Sequence, residues 1–398
     1  VFTMLFASDY VQSVLRYKGE FYALLLMALL GMCVLASATD FLTMFIGLEL
    51  MTISFYILTG ARMSSKDSSE AAVKYLIIGS VSTATMLYGI SLVYGATGSI
   101  QFFEVCRNPH LFFPLGIAGI TMVLIGFFFK LSIIPFHMWA PDVYQGAPTP
   151  ITAMLAMGSK AAGIAAFMRA LYVAFPMLGM YWLPLLAVLC AICMIFGNIM
   201  AMKQKDVKRM LAYSSMENFG LMMAALGLFV PMAAQAMLLH MFNHALVKYS
   251  LFYTAGTIME EFGTKNMMRI HGMMSQTPRT ALFWLLGIVG ILGMPPFGIF
   301  FSKFFIVFGF FQSEHPWLGI LMLVLLAGML IGILYHVMRM FGGQSKRKHA
   351  IELFGVVDSL TLAGLLLFSC VASAGLSQID VLNTLLQHAA QIVLGGVY

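Results

Sequence analysis

The sequence predicts an all-α polytopic membrane protein of about eleven transmembrane helices, organised as two inverted five-helix repeats, each with a broken helix. Three observations lead there. Of 398 residues, 61% are hydrophobic and 10% charged, and the mean hydropathy is +0.92, more than a soluble core of this length can absorb. Apolar runs recur at close to the roughly 20 residues that a spanning helix needs. The basic residues of the connections fall almost wholly in alternate ones, as the positive-inside rule requires of a multi-pass chain.

The runs that meet the length requirement are 21–38, 40–60, 71–95, 111–134, 149–173, 181–202, 207–230, 233–258, 280–312, 316–340 and 356–376. Residues 1–20 read as the remnant of an N-terminal helix and its loop, from a chain whose earlier helices are missing. Residues 21–173 and 181–340 form the two repeats, and 341–398 a C-terminal helix and tail in which 379–394 carry an apolar stripe suited to the membrane interface. Threading the spans alternately puts Arg16, Lys18, Arg62, Lys66, Lys203, Lys205, Lys208, Arg209, Lys265, Arg269, Arg279, Lys346, Arg347 and Lys348 on one side, against little beyond Arg107 on the other. That side is expected to be cytoplasmic, with the C-terminus opposite.

Most of the basic residues behind the formal charge of +6 fall in loops and at helix ends, and no basic, aromatic-interleaved arm suggests nucleic acid as a partner. Cys33, Cys106, Cys190, Cys193 and Cys370 form no regular framework. Cys190 and Cys193 make a CxxC inside the run YWLPLLAVLCAICMIFGNIMAM, where packing is the expected role rather than redox or metal chemistry.

Charge inside the spans points to function. Lys74, Lys130, Lys160, Lys248 and Lys303 lie within or at the ends of apolar runs. One ionisable group near the bilayer centre costs about 2.5–3.5 kcal/mol on insertion scales, so several together cost as much as a domain's net stability. They mark an ion path or a buried charge network. Glu49, in DFLTMFIGLELMTISFYILTG, has no cation within one turn and needs a partner from another helix or a proton; Lys130 is the natural candidate. Lys160 sits about ten residues into its span among small residues, too deep for simple snorkelling to be the better reading. His240, His244 and Lys248 recur at i, i+4, i+8 on one helical face. A haem or metal would need ligands from other elements, whereas a proton relay needs only neighbours; each histidine alone could equally be a satisfied core residue. His336 and Lys74 are weaker candidates, close to helix ends. A lysine-lined path repels metal cations but can pass a proton, so proton transfer is favoured over sodium.

An internal repeat supports the two halves. AVKYL around Lys74 resembles LVKYS around Lys248, the surroundings of Glu49 resemble those of Glu217, and the Pro135 break resembles the Pro295-Pro296 break, all at spacings of about 160–175 residues. Matching helices five spans apart run in opposite directions across the membrane, hence the expected inversion. Each break lies near a buried lysine, Lys130 or Lys303, and proline there frees carbonyls that protein or water must satisfy.

The run FFKLSIIPFHMWAPDVYQGAPTPITAML, followed by SKAAGIAAFMRALY, with GLEL, EAAVKYLIIGS, KRMLAYSSMENFG, NHALVKYSLF and MPPFGIFFSKFF in order, resembles the subunit N family of bacterial NADH-quinone oxidoreductase (respiratory complex I), which are antiporter-like proton-pumping subunits. The resemblance covers nearly the whole chain, and lysine at 160 with PDVYQGAP points to the N type. It implies that Glu49 and Lys130 form the charged pair of an input half-channel, Lys160 the central relay and Lys303 the terminal proton donor. His240, His244 and Lys248 would lie on the axis between Lys160 and Lys303. It also implies partner membrane subunits and the lipid bilayer, with NADH, FMN, iron-sulfur clusters and quinone held in other subunits. No GxGxxG, P-loop or nucleophile triad is evident, so no cofactor or metal is expected in this chain. The resulting expectation is a proton-translocating inner-membrane subunit of a NADH:quinone oxidoreductase. A subunit of a Mrp-type cation/proton antiporter or hydrogenase complex has the same fold. A passive scaffold is the remaining reading, which would gain nothing from isolated lysines.

Overall fold

The computed structural model describes residues 17–374 except 177, 178, 229, 314 and 343–351, together with Thr3, Met4, Ala7 and Val11. The interfacial stripe expected at 379–394, most of the remnant at 1–15 and the basic loop around Lys346 lie outside the described residues. Among the described residues no strand forms, only two isolated antiparallel bridges. Residues up to Pro184 make one compact unit and residues from Leu185 a second.

The first unit contains α1 (Lys18–Ser37), α2 (Phe41–Thr59), α3 (Lys66–Thr97), the short α4 (Phe102–Arg107), α5 (Pro114–Leu131), α6 (Trp139–Gly146) and α7 (Thr149–Ala174). The chain continues through α8 (Gly179–Lys203) to α9 (Val207–Gly227), α10 (Pro231–Phe262), α11 (Met273–Gln276), α12 (Pro278–Leu292), α13 (Gly298–Phe311), α14 (Trp317–Phe341) and α15 (Val356–Ala374). Every expected span is met by helix, the 280–312 run as the broken pair α12 and α13. Among the described residues seven helical segments are long and apolar enough to cross a membrane, and α12, α13 and α15 are shorter apolar helices. The expected spans at 207–230 and 233–258 are the helices α9 and α10, which fall outside those sets; they carry Glu217 and Asn218, and His240, Asn243, His244 and Lys248.

Side-chain caps and glycine contacts explain where these helices begin and how closely they pack. The Asp40 carboxylate opens α2 by accepting from the Thr43 amide at 2.8 Å, and Asp206 opens α9 by accepting from the Lys208 and Arg209 amides at 2.9 and 3.1 Å. Helices α3 and α5 cross at Gly89 and Gly119, where a Cβ on either would meet the other's carbonyl oxygen at 2.7–2.8 Å. Only glycine lets the two backbones approach so closely. Cys193 packs against Gly220 of α9, where a glycine Cβ would lie 3.3 Å from the Cys193 Cβ, in keeping with a packing role.

The repeat is visible inside each unit. In the first, Phe41 donates to Ile100 and Phe102 to Thr39; in the second, Val207 donates to Lys265 and Met267 to Lys205. Helices α3 and α10 are each 32 residues long and end on left-handed Gly98 and Gly263. These anchors lie about 165 residues apart, and they correct the register suggested by sequence similarity. Lys74 and Lys248 are not equivalent: Lys74 lies near the start of α3 and Lys248 midway along α10. On the same register Glu217 matches Met51, and Asn218 matches Thr52. The local sequence words repeat, but the helix caps decide the depth at which each charge lies.

Candidate functional site

In the first unit the site is built where α5 breaks. The helix ends at Leu131, Ser132 takes a left-handed conformation (φ 59°), and the Ile134–Pro135 peptide is cis. The carbonyls of the last turn have no partner within the helix. One is taken by a lysine: Lys160 Nζ donates to the Lys130 carbonyl at 2.6 Å and to Ser132 Oγ at 2.5 Å. Lys160 is 1% exposed, and its ammonium lies 4.8 Å from the centroid of the Trp139 ring, whose indole N–H donates to the Phe129 carbonyl at 2.9 Å. It follows a π-helical turn, Leu155–Ser159, inside α7, an irregularity often found at functional positions.

Lys130 is also buried, and Gly163 makes room for it, since a Cβ there would meet Lys130 Cγ at 3.3 Å. Its ammonium donates to Thr52 Oγ1 at 3.1 Å. The expected direct pair with Glu49 does not form; no ion pair joins them among the described residues. Glu49 stands three residues from Thr52 on α2, with one carboxylate oxygen buried and without a hydrogen-bond partner, and its charge acts on Lys130 without contact. Thr52, one turn along α2 from Glu49 on the same helical face, takes the ammonium instead. Lys74 is 42% exposed and paired to Glu70 at 2.7 Å and Asp142 at 2.9 Å, a surface cluster in line with its weaker candidacy.

In the second unit α12 ends at Leu292, Gly293 is left-handed (φ 78°), and the Pro295–Pro296 peptide is cis. Lys303 on α13 turns back to donate to the Ile291 carbonyl at 3.3 Å. Ile291 stands where Lys130 stands in the first unit, one residue before the helix end. A buried lysine thus takes the same carbonyl at both breaks. Lys248 donates to the Leu211 carbonyl at 2.7 Å and Ser214 Oγ at 2.6 Å, the same combination of carbonyl and serine hydroxyl that holds Lys160. A hydroxyl accepts from an ammonium and can rotate to donate to a neutral amine, so either protonation state finds a partner.

His240 shows the same adaptability. Nε2 faces Asn218 Oδ1 at 3.2 Å and Nδ1 faces Ser302 Oγ at 2.9 Å. The Asn218 amide nitrogen donates to the Ser214 carbonyl, which leaves its oxygen to accept from His240. With Ser302 donating to the Ile299 carbonyl at 3.0 Å, an imidazolium donates on both sides. With the hydroxyl turned, a neutral imidazole accepts from it. His244 follows, its ring 6.2 Å from that of His240, with Nε2 buried and without a hydrogen-bond partner. His336 is buried, and its Nε2 lies 2.8 Å from the Met202 carbonyl.

The structure therefore brings Lys130 and Lys160 together in one unit, and His240, His244, Lys248 and Lys303 in the other. Sequence reasoning missed Thr52, Ser132, Ser214, Asn218 and Ser302, which supply the hydrogen bonds. Hydroxyl and amide residues are common in helices and carry no spacing signal of their own. Glu217 was singled out only as a repeat match. Among the described residues no group of three or more His, Cys, Asp or Glu is gathered as a metal ion would require.

A sequence model of the family described as NADH:quinone oxidoreductase/Mrp antiporter, TM, matches residues 38–331. NADH-quinone oxidoreductase subunit N of Desulfitobacterium hafniense is 38% identical over 342 residues, covering 80% of this chain and 68% of the relative. F(420)H(2) dehydrogenase subunit N of Methanosarcina mazei is 36% identical over 316 residues, covering 77% of this chain and 64% of the relative. Among solved structures, a chain of the respiratory complex I from Thermus thermophilus superposes with a TM-score of 0.78 at 28% identity, covering 96% of this chain and 83% of that one. The chain belongs to the NADH:quinone oxidoreductase/Mrp antiporter transmembrane family.

Proposed function

We propose that this chain is a proton-translocating membrane subunit of a NADH-quinone oxidoreductase, of the N type, moving protons along buried lysine, glutamate and histidine side chains. The observation that carries the reading is the pair of helix breaks, each with a carbonyl taken by a buried lysine, Lys160 or Lys303. A scaffold has no use for such groups, whose burial costs energy that only paired acceptors offset. In this reading Lys160 holds a proton at Nζ against Ser132 Oγ and the Lys130 carbonyl. Glu49 and Lys130 regulate one another through charge at a distance, with Thr52 holding the ammonium. Lys248, His240, His244 and Lys303 hold protons in the second unit.

Redox chemistry belongs to partner subunits carrying NADH, FMN, iron-sulfur clusters and quinone. A relative named for F(420)H(2) supports assigning the electron donor to those partners rather than to this chain. The protein is a multi-pass membrane protein, and we place it in the bacterial inner membrane with the basic segment 203–209 cytoplasmic and the C-terminus on the far side. The test is Lys160→Met in the assembled complex. Redox-driven proton uptake into sealed vesicles should fall at least several-fold with assembly intact, and Lys160→His should restore part of it. Uptake at the wild-type level in the methionine variant would remove the relay.

A further inference from the structure

Glu217 is fully buried on α9, and neither carboxylate oxygen has a hydrogen-bond partner among the described residues. A carboxylate in that position is costly unless another charge compensates it. Two cations do so. Lys303 Nζ lies 3.9 Å from Glu217 Oε1, and Lys248 acts on the same carboxylate from α10. Three residues of one α9 face thus address three members of the second unit's chain: Ser214 accepts from Lys248, Glu217 faces Lys303, and Asn218 accepts from His240. Their i, i+3, i+4 spacing puts them side by side. Helix α8 presses close behind them, since a Cβ on Gly197 would meet the Glu217 amide nitrogen at 3.2 Å.

Lys303 is itself poorly satisfied. Its other neighbours are the Ile291 carbonyl at 3.3 Å and the Met329 sulfur at 3.9 Å. On the register set by the helix caps Met51, not a carboxylate, stands where Glu217 does, and the first unit's Glu49 lies two residues away.

We propose that Glu217 is a proton-carrying residue that works as a pair with Lys303, a role that rests on the proton-translocating reading above. In the step, the side chains close from 3.9 Å to hydrogen-bond contact, the Lys303 Nζ–H bond breaks and a Glu217 Oε1–H bond forms, so a carboxylate and an ammonium become a neutral acid and a neutral amine with no net change in charge. The amine is then free to take the next proton, and the carboxyl to pass its own on. The exchange keeps the site electrically balanced in both states, so neither charge is ever buried alone. Lys248 on α10, held by Leu211 and Ser214, adds a second positive charge that acts on the same carboxylate.

The experiment uses the intact complex in sealed vesicles and compares wild type with Glu217→Gln, Glu217→Asp, Lys303→Met and the double variant Glu217→Gln/Lys303→Met. Each is scored for assembly, quinone reduction and redox-driven proton uptake. The expected result is a several-fold loss of uptake in Glu217→Gln, partial recovery in Glu217→Asp, and a double variant little worse than the worse single one. Wild-type uptake in Glu217→Gln while Lys303→Met fails overturns the pair and leaves the general reading intact. Wild-type uptake in both overturns the general reading as well. If Glu217→Gln does not assemble, modification of wild-type complex with a hydrophobic carbodiimide, which reacts with protonated carboxyls, decides. Labelling at Glu217 that increases when Lys303 is replaced by Met supports the exchange, and no labelling in either form overturns it.

Discussion

The Lys160 ammonium donates to the backbone carbonyl of Lys130 at 2.6 Å, so one of two neighbouring buried lysines is held by the main chain of the other. The carbonyl is available because α5 ends there and Pro135 cannot continue it. Lys303 and Ile291 repeat the relationship in the second unit. A helix end buried in apolar surroundings needs a donor, and a buried ammonium needs acceptors; each satisfies the other.

Ser132 is the second acceptor for Lys160. A hydrogen bond to a charged group contributes about 1.5–3 kcal/mol, so Ser132→Ala should slow proton-coupled turnover by about tenfold or more. Ser132→Gly suits the positive φ better than serine does, and should be as slow as alanine while at least as stable. Turnover and thermal stability measured on both variants separate the two effects. Serine-like rates in either variant would show that the hydroxyl is not used.

Thr52, three residues from Glu49 on α2, accepts from Lys130 in place of a direct ion pair. Thr52→Val keeps the shape and removes the acceptor, and should lower proton uptake while leaving assembly intact. Glu49→Gln and Lys130→Met should each impair uptake, with the double variant little worse than the worse single one because the charges act through one another. Additive losses in that cycle, with all variants assembled, would mean the residues work independently.

The crossing of α3 and α5 tolerates no side chain. Gly119→Ala or Gly89→Ala puts a Cβ within 2.8 Å of a carbonyl oxygen and should cost about 1–3 kcal/mol through forced backbone shifts. The check is a lower melting temperature of the detergent-solubilised protein. An unchanged melting temperature would show that the helices separate freely.

Lys205 is exposed in the loop before α9, on the side where the basic residues collect. Lys205→Cys, in a background without other reactive cysteines, should resist a membrane-impermeant maleimide in intact cells and react in inverted vesicles. Labelling in intact cells reverses the orientation.

The sequence by itself determined the order and place of the apolar helical runs, since each must pair its backbone internally to cross a bilayer, whereas the short helices α4, α6 and α11 carry no such signal. It also located both breaks, because proline cannot donate, and it marked Lys130, Lys160, Lys248 and Lys303 as functional candidates through the cost of burying them. Only the tertiary structure decided their partners. Whether Lys130 meets Glu49 or Thr52 depends on the rotation of α2 against α5, a few ångströms that helical periodicity does not encode. The likeness of AVKYL to LVKYS was likewise outvoted by the caps, which put Lys74 near a helix start and Lys248 midway along its helix. Glu217 gained its meaning in the same way. Its immediate neighbours along the chain are Met216 and Asn218, and the cation that answers it, Lys303, lies 86 residues further on, on α13, and comes within 3.9 Å only once the chain is folded.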